Sequence, residues 1–209
     1  MFRRYLTGRS VVWLARLLWE QEAESSNLSV PTIFVFYFQM PSSSNLTKYD
    51  LSVVEHFGLE QHPEGGWFKR TYSSRKSVNL KYGNRLCGTS IYYYLCEGET
   101  SSLHTLKSDE TWYYHFGSPV VLHLFNNGVY DSVILGKNWE GGEVSQYTVM
   151  EGTAFGAELS SNSGTLMSCS VCPGFHQDDF HWANQADLLI KFPEQKEIIY
   201  RLTKNTGRQ

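Results

Sequence analysis

Between residues 67 and 172 the chain is written as short aromatic and β-branched runs broken by turn residues. No other feature limits the fold as much. Branched and aromatic side chains suit a pleated, half-buried surface, so such runs favour strands over helices. The pattern predicts strands near 67–73, 88–96, 102–107, 110–116, 119–126, 129–135, 144–150, 154–160 and 165–172. "NNG" (126–128) reads as a tight hairpin turn, and "NWEGGE" (138–143) and "SSNSG" (160–164) as longer connections. Many short strands separated by turn signals build a sandwich or a barrel. Helices flank this region. Thr47 is placed to cap a helix through Phe57, with Leu51, Val54 and Phe57 at helical spacing and Gly58 as its stop. "HPEGGW" (62–67) is a turn cluster, and "WANQADLLIKF" (182–192) reads as a closing helix stopped by Pro193. "EIIYRLT" (197–203) fits either a last helical turn or an edge strand.

Composition narrows the classes. A chain of 209 residues suits one domain with an extension. With 12 Phe, 13 Tyr and 6 Trp and only 19% charged residues, it has the profile of a folded, strand-rich protein. A net charge of −3 without a basic face argues against a nucleic-acid partner. No apolar run reaches the ~18–20 residues that cross a bilayer, so no membrane partner is expected. The cysteines are Cys87, Cys96, Cys169 and Cys172. "CSVC" (169–172) lacks a second close pair to complete a zinc site, and on a strand its two thiols face opposite sides. Reduced thiols and a cytoplasmic location fit this best. Residues 1–44 read differently, with Arg3, Arg4, Arg9 and Arg16 and no acid before Glu20. They form an extension open to three readings: a mitochondrial presequence, a translated stretch upstream of Met40, or a functional arm. Residues 45–205 form the single folded domain and 206–209 a tail.

The chemistry-bearing stretch is "SSLHTLKSDETWYYHFG" (101–117). On two strands joined by a turn at Lys107–Asp109, His104 and Leu106 share one face of the first. Glu110, Trp112 and Tyr114 share one face of the second, with Tyr113 and His115 opposite. A buried histidine and carboxylate stabilise each other when paired, and such a pair performs acid–base work. The catalytic candidates are therefore His104 as base, Glu110 to orient it and Tyr114 to return a proton. The ligand-binding candidates are Glu64 in the turn at the barrel rim, Trp67, Lys107, Trp112 as a flat wall, Phe155 and Asp179. Glu64 and Asp179 also fit a capping role in their turns. Lys69, Arg70 and Lys107 are the only nearby cations, sparse support for a diphosphate.

His104-x-Leu106-x(3)-Glu110-x(6)-Gly117 resembles the first cupin motif, H-x-H-x(3,4)-E-x(6)-G. Leu106 stands at the second ligand histidine. In "VMEGTAFGAEL" (149–159), similar to the second motif, Gly152 fits, while Met150 replaces the usual proline and Phe155 the ligand histidine. With half of the usual ligands gone, the resemblance implies no tightly held metal, and no cofactor is expected. A weakly held divalent metal stays open if a bulge turns His115 or His123 inward. Longer blocks at 62–74, 89–119, 151–159 and 171–180 resemble the uncharacterised cupin type 5 family. Tyr113, Ala154 and Ser118 depart from its pattern. The resemblance implies an all-β double-stranded β-helix, an RmlC-like jelly-roll barrel with short flanking helices. It also implies a homodimer and a small-molecule pocket inside the barrel. Two functions follow from it: binding of a sugar or sugar nucleotide, or metal-independent sugar isomerisation or epimerisation through His104 and Glu110. Whether the protein is an enzyme stays open.

Overall fold

A computed structural model describes residues 46–203. The predicted extension, with its presequence reading, and the tail lie outside the described residues. The Thr47 hydroxyl accepts from the Asp50 amide (3.1 Å) while the Asp50 carboxylate accepts from the Thr47 amide (2.9 Å). This reciprocal pair satisfies donors that a helix start otherwise leaves bare. Helix α1, Lys48–Phe57, begins there and ends at Gly58 in the left-handed conformation.

Thirteen strands follow: β1 Glu60–Gln61, β2 Trp67–Ser73, β3 Ser77–Leu80, β4 Gly83–Leu86, β5 Thr89–Leu95, β6 Thr100–Leu106, β7 Asp109–Phe116, β8 Val120–Asn126, β9 Val129–Leu135, β10 Gln146–Val149, β11 Ala154–Leu159, β12 Thr165–Cys172 and β13 Phe180–Trp182. Helices α2 (Gln185–Lys191) and α3 (Lys196–Leu202) close the described chain. One sheet has the order β1-β2-β5-β12-β7-β10, a second the order β13-β6-β11-β8-β9, and β3–β4 stand apart as a hairpin. Every strand expected from residue 67 to 172 forms close to its expected bounds. Asn127 and Gly128 take positive φ in the β8–β9 turn, as a two-residue hairpin requires.

Four strands were not anticipated. β1, β3 and β4 are short and polar, without the alternation that signals a half-buried strand. β13 corrects the closing helix expected at 182–192: Trp182 is still strand, because the Asn184 side chain caps α2 through the Asp187 amide. The 197–203 alternative resolves as helix α3. Its Arg201 donates twice to Glu158 of β11 (2.6 and 2.8 Å), fastening the helix to the sheet.

Three apolar layers result. Between the sheets lie Val120, Leu122, Leu135, Phe155, Ala157 and Met167. α2 and α3 bury Leu188, Phe192, Ile199 and Leu202 against Leu103 and Phe125. α1 covers Tyr94 and Leu166 on the outer face of the first sheet. All four cysteines are free thiols, with Cys169 buried and Cys172 exposed, on opposite faces of β12. No described helix is long and apolar enough to cross a membrane.

Candidate functional site

Alternate residues of the first sheet line one end of the space between the sheets. β2 supplies Phe68 and Arg70, β5 Thr89, Ile91 and Tyr93, β7 Glu110 and Trp112, and β12 Cys169 and Val171. Each set follows the period of two that puts every second side chain on one face. Leu106, Phe180 and Trp182 face them from β6 and β13. His62, Pro63, Glu64, Phe175 and Gln177 complete the walls of a cavity of about 350 Å³.

The turn that carries Glu64 is pressed against the barrel. Gly65 and Gly66 both have positive φ, and a Cβ on either would lie within 2.1 Å of the Thr100 carbonyl oxygen or 2.7 Å of the Tyr94 carbonyl oxygen. Only glycine tolerates both the conformation and the approach. Tyr93 donates to the Gly65 carbonyl (2.7 Å), and the Ser102 amide to that of Glu64 (2.9 Å). Glu64 is thereby held in the cavity wall, 9% exposed. Its carboxylate accepts from the Ser101 hydroxyl (3.2 Å) and lies 3.6 Å from His104 Nδ1 and 3.9 Å from His62 Nδ1.

Glu110 is buried in the wall of the same cavity. Burial and then the charge of Glu64 push its pKa up to about 7. His104, the Cys169 thiol and the Trp112 indole oppose that rise without cancelling it. His104 Nδ1 lies 2.8 Å from the Ser102 carbonyl oxygen, which only accepts, so Nδ1 carries the proton. Burial lowers the His104 pKa, which favours the neutral ring.

Residues 51–183 match the family described as Cupin superfamily (DUF985), Cupin_5. The chain belongs to the Cupin_5 family. A hypothetical protein from Leishmania major is 33% identical, with a TM-score of 0.68 over 73% of this chain and 97% of that one. A crystal structure of a Shewanella oneidensis protein is 32% identical, with a TM-score of 0.68 over 73% and 96% of the two chains. A search of curated proteins found no match. The cupin barrel and family expected from the motifs are the ones observed.

Three of the residues singled out from the sequence of this Cupin_5 protein meet in the cavity wall: Glu64, Glu110 and Trp112. His104 points to the interior but is covered, 1% exposed, with ring centroids of Phe155 at 4.2 Å and Phe180 at 5.2 Å. It touches the site through Glu64. Phe155 therefore packs on His104 and does not line the cavity. Trp67 turns to the outer face beneath α1. Tyr114 donates to the Gly117 carbonyl (2.6 Å), outside the cavity lining. Asp179 is buried in a bidentate pair with Arg85 (2.5 and 2.8 Å), and exposed Lys107 lies 3.8 Å from Asp179. Sequence reasoning named Arg70 only as a nearby cation for a diphosphate, and it missed Tyr93, Phe175, Gln177, Phe180 and Trp182 as lining residues. Alternation from Phe68 would have reached Arg70. The others depend on β13 and the 173–179 segment folding back over the barrel.

The cupin metal does not fit this donor set. Leu106 and Phe155 fill two ligand positions with side chains that cannot coordinate. β7 does bulge at His115, where Phe116 pairs with Leu166 and Tyr114 with Met167. That ring nevertheless meets Ser168 Oγ (2.6 Å) and stays exposed. His123 bonds Glu158 (3.1 Å) and Tyr130 (2.8 Å), away from the cavity. Among the described residues no group of three His, Cys, Asp or Glu is arranged to hold a metal ion.

Proposed function

We propose that the cavity binds a small hydroxyl-bearing ring of the sugar type. The observation that carries this is a pair of carboxylates, Glu64 and Glu110, in a wall built mainly of aromatic and aliphatic side chains. Flat rings such as Trp112 and Phe180 cover the C–H face of a sugar, and carboxyl groups accept or donate hydrogen bonds to its hydroxyls. A volume of about 350 Å³ lies at the small end of the roughly 300–1,000 Å³ of small-molecule sites. A single ring fits that space better than a sugar nucleotide. Among the described residues a diphosphate would meet Arg70 as its one lining cation, because Lys69 donates to the Phe57 carbonyl and Lys107 faces Asp179.

A specific observation favours a second reading, metal-independent isomerisation or epimerisation. Glu110, poised near pH 7, can exchange a proton at a carbon next to a carbonyl. Glu64 is then its partner, and His104 acts through Glu64 as a positioning residue.

One titration tests both. Calorimetry with D-glucose, D-galactose and their acids is expected to detect binding that weakens about ten-fold or more in Glu64→Gln and Glu110→Gln. Absence of binding by every sugar, or binding that both variants leave intact, would sink the sugar reading. In D₂O, uptake of deuterium at carbon by the bound sugar supports catalysis. Its absence leaves binding alone.

A further inference from the structure

Arg70 is the only lysine or arginine among the described residues that line the cavity. It stands opposite Ile91 in the β2–β5 ladder, on the same face as Phe68, and is exposed at the rim. Its guanidinium lies over the Phe175 ring, 5.8 Å from the centroid. Stacking of this kind holds the planar group while leaving its N–H edges available. Other cations are engaged: Lys69 with the Phe57 carbonyl, and Arg85 and Lys107 with Asp179. Arg70 forms no ion pair among the described residues. Glu110 is the acid whose charge it feels, and it does not neutralise Arg70 directly.

A guanidinium that forms no ion pair among the described residues, at the edge of a binding cavity, suits an anion. We infer that Arg70 anchors one carboxylate of the ligand, so that the ligand is a sugar acid or a similar ring-shaped hydroxy acid. The inference rests on the sugar reading above and deepens it. The ring lies against the aromatic walls, its hydroxyls reach Glu64 and Glu110, and its carboxylate meets Arg70 at the rim. A carboxylate matches the two-pronged guanidinium edge with a single charge.

The test is calorimetry on the full chain at pH 7 with D-glucuronate and D-galacturonate, their neutral parents, and D-glucose 6-phosphate. One of the acids is expected to bind about ten-fold or more tighter than its parent, the size of one charge-assisted contact. That preference should vanish in Arg70→Gln and survive in part in Arg70→Lys, which keeps the charge without the fork. Equal affinity of acid and parent, or a preference that Arg70→Gln keeps, overturns the inference. So does tighter binding of the phosphate than of either acid. If no sugar binds, the sugar reading fails by itself, and benzoate against benzyl alcohol makes the same charge comparison. A benzoate preference lost in Arg70→Gln supports the anchor without the sugar, and no preference overturns it.

Discussion

Glu110 shows how a single residue can be read at two depths. Period two on β7 puts it on the inner face with Trp112, and there it is found. Its titration depends on neighbours far away in sequence, first the burial and then Glu64. A folded-state pKa of about 7 against an ordinary 4.5 means that the folded protein keeps a proton the unfolded chain has lost. Stability therefore falls as pH rises through that window, by as much as about 3 kcal/mol, and is unaffected by this group below it. The Glu110→Gln variant should lose that slope. Urea midpoints at pH 5, 6, 7 and 8 check it, and parallel profiles for wild type and variant would contradict it. The covered position of His104 was not legible in the same way. Alternation assigns a side chain to a face, whereas its depth depends on which rings from other strands lie over it, here Phe155 and Phe180.

Among the elements, the β3–β4 hairpin and the 173–182 segment have the least support from local sequence. "NLKYGNRL" (79–86) mixes polar residues without alternation, so nothing in it announces a strand pair. Arg85 of β4 reaches across to Asp179, which it holds below the usual carboxylate range. The Leu86 carbonyl also accepts from the Gly174 amide (2.7 Å). These bonds seat the segment whose Phe175, Gln177 and Phe180 wall the cavity. Asp179→Asn removes the charge that Arg85 pairs with. Amide exchange is expected to speed up about ten-fold or more in residues 77–86 and 173–182, while β5 and β12 stay protected as core strands do. A uniform change over the whole protein, or none, would remove the hairpin from this role.

In the whole molecule the two ends of the barrel differ. One is filled with close-packed aliphatic side chains, and the other is left open and ringed with aromatics. A truncation at the filled end leaves a void that the rigid sheets cannot close, while at the open end it enlarges a space already present. Leu122→Ala, at a fully buried position, should cost about 2–5 kcal/mol in urea unfolding. Ile91→Ala in the cavity wall should cost under about 2 kcal/mol. The reverse order would mean that the cavity end carries the core.

The sequence by itself determined the strands from 67 to 172 other than the β3–β4 hairpin, the cap of α1, the β8–β9 turn and the inward face of Glu110. All of these arise from backbone preferences over a few residues and from the period of a pleated strand. Only the tertiary structure decided which candidates meet. It set Glu64 beside Glu110, covered His104, sent Trp67 to the outer face, tied Asp179 to Arg85 and put Arg70 at the rim. Each of those outcomes depends on segments distant in the chain coming into register, β12 against both β5 and β7 and β13 against β6. No local pattern encodes that register, because it is settled by how whole faces pack.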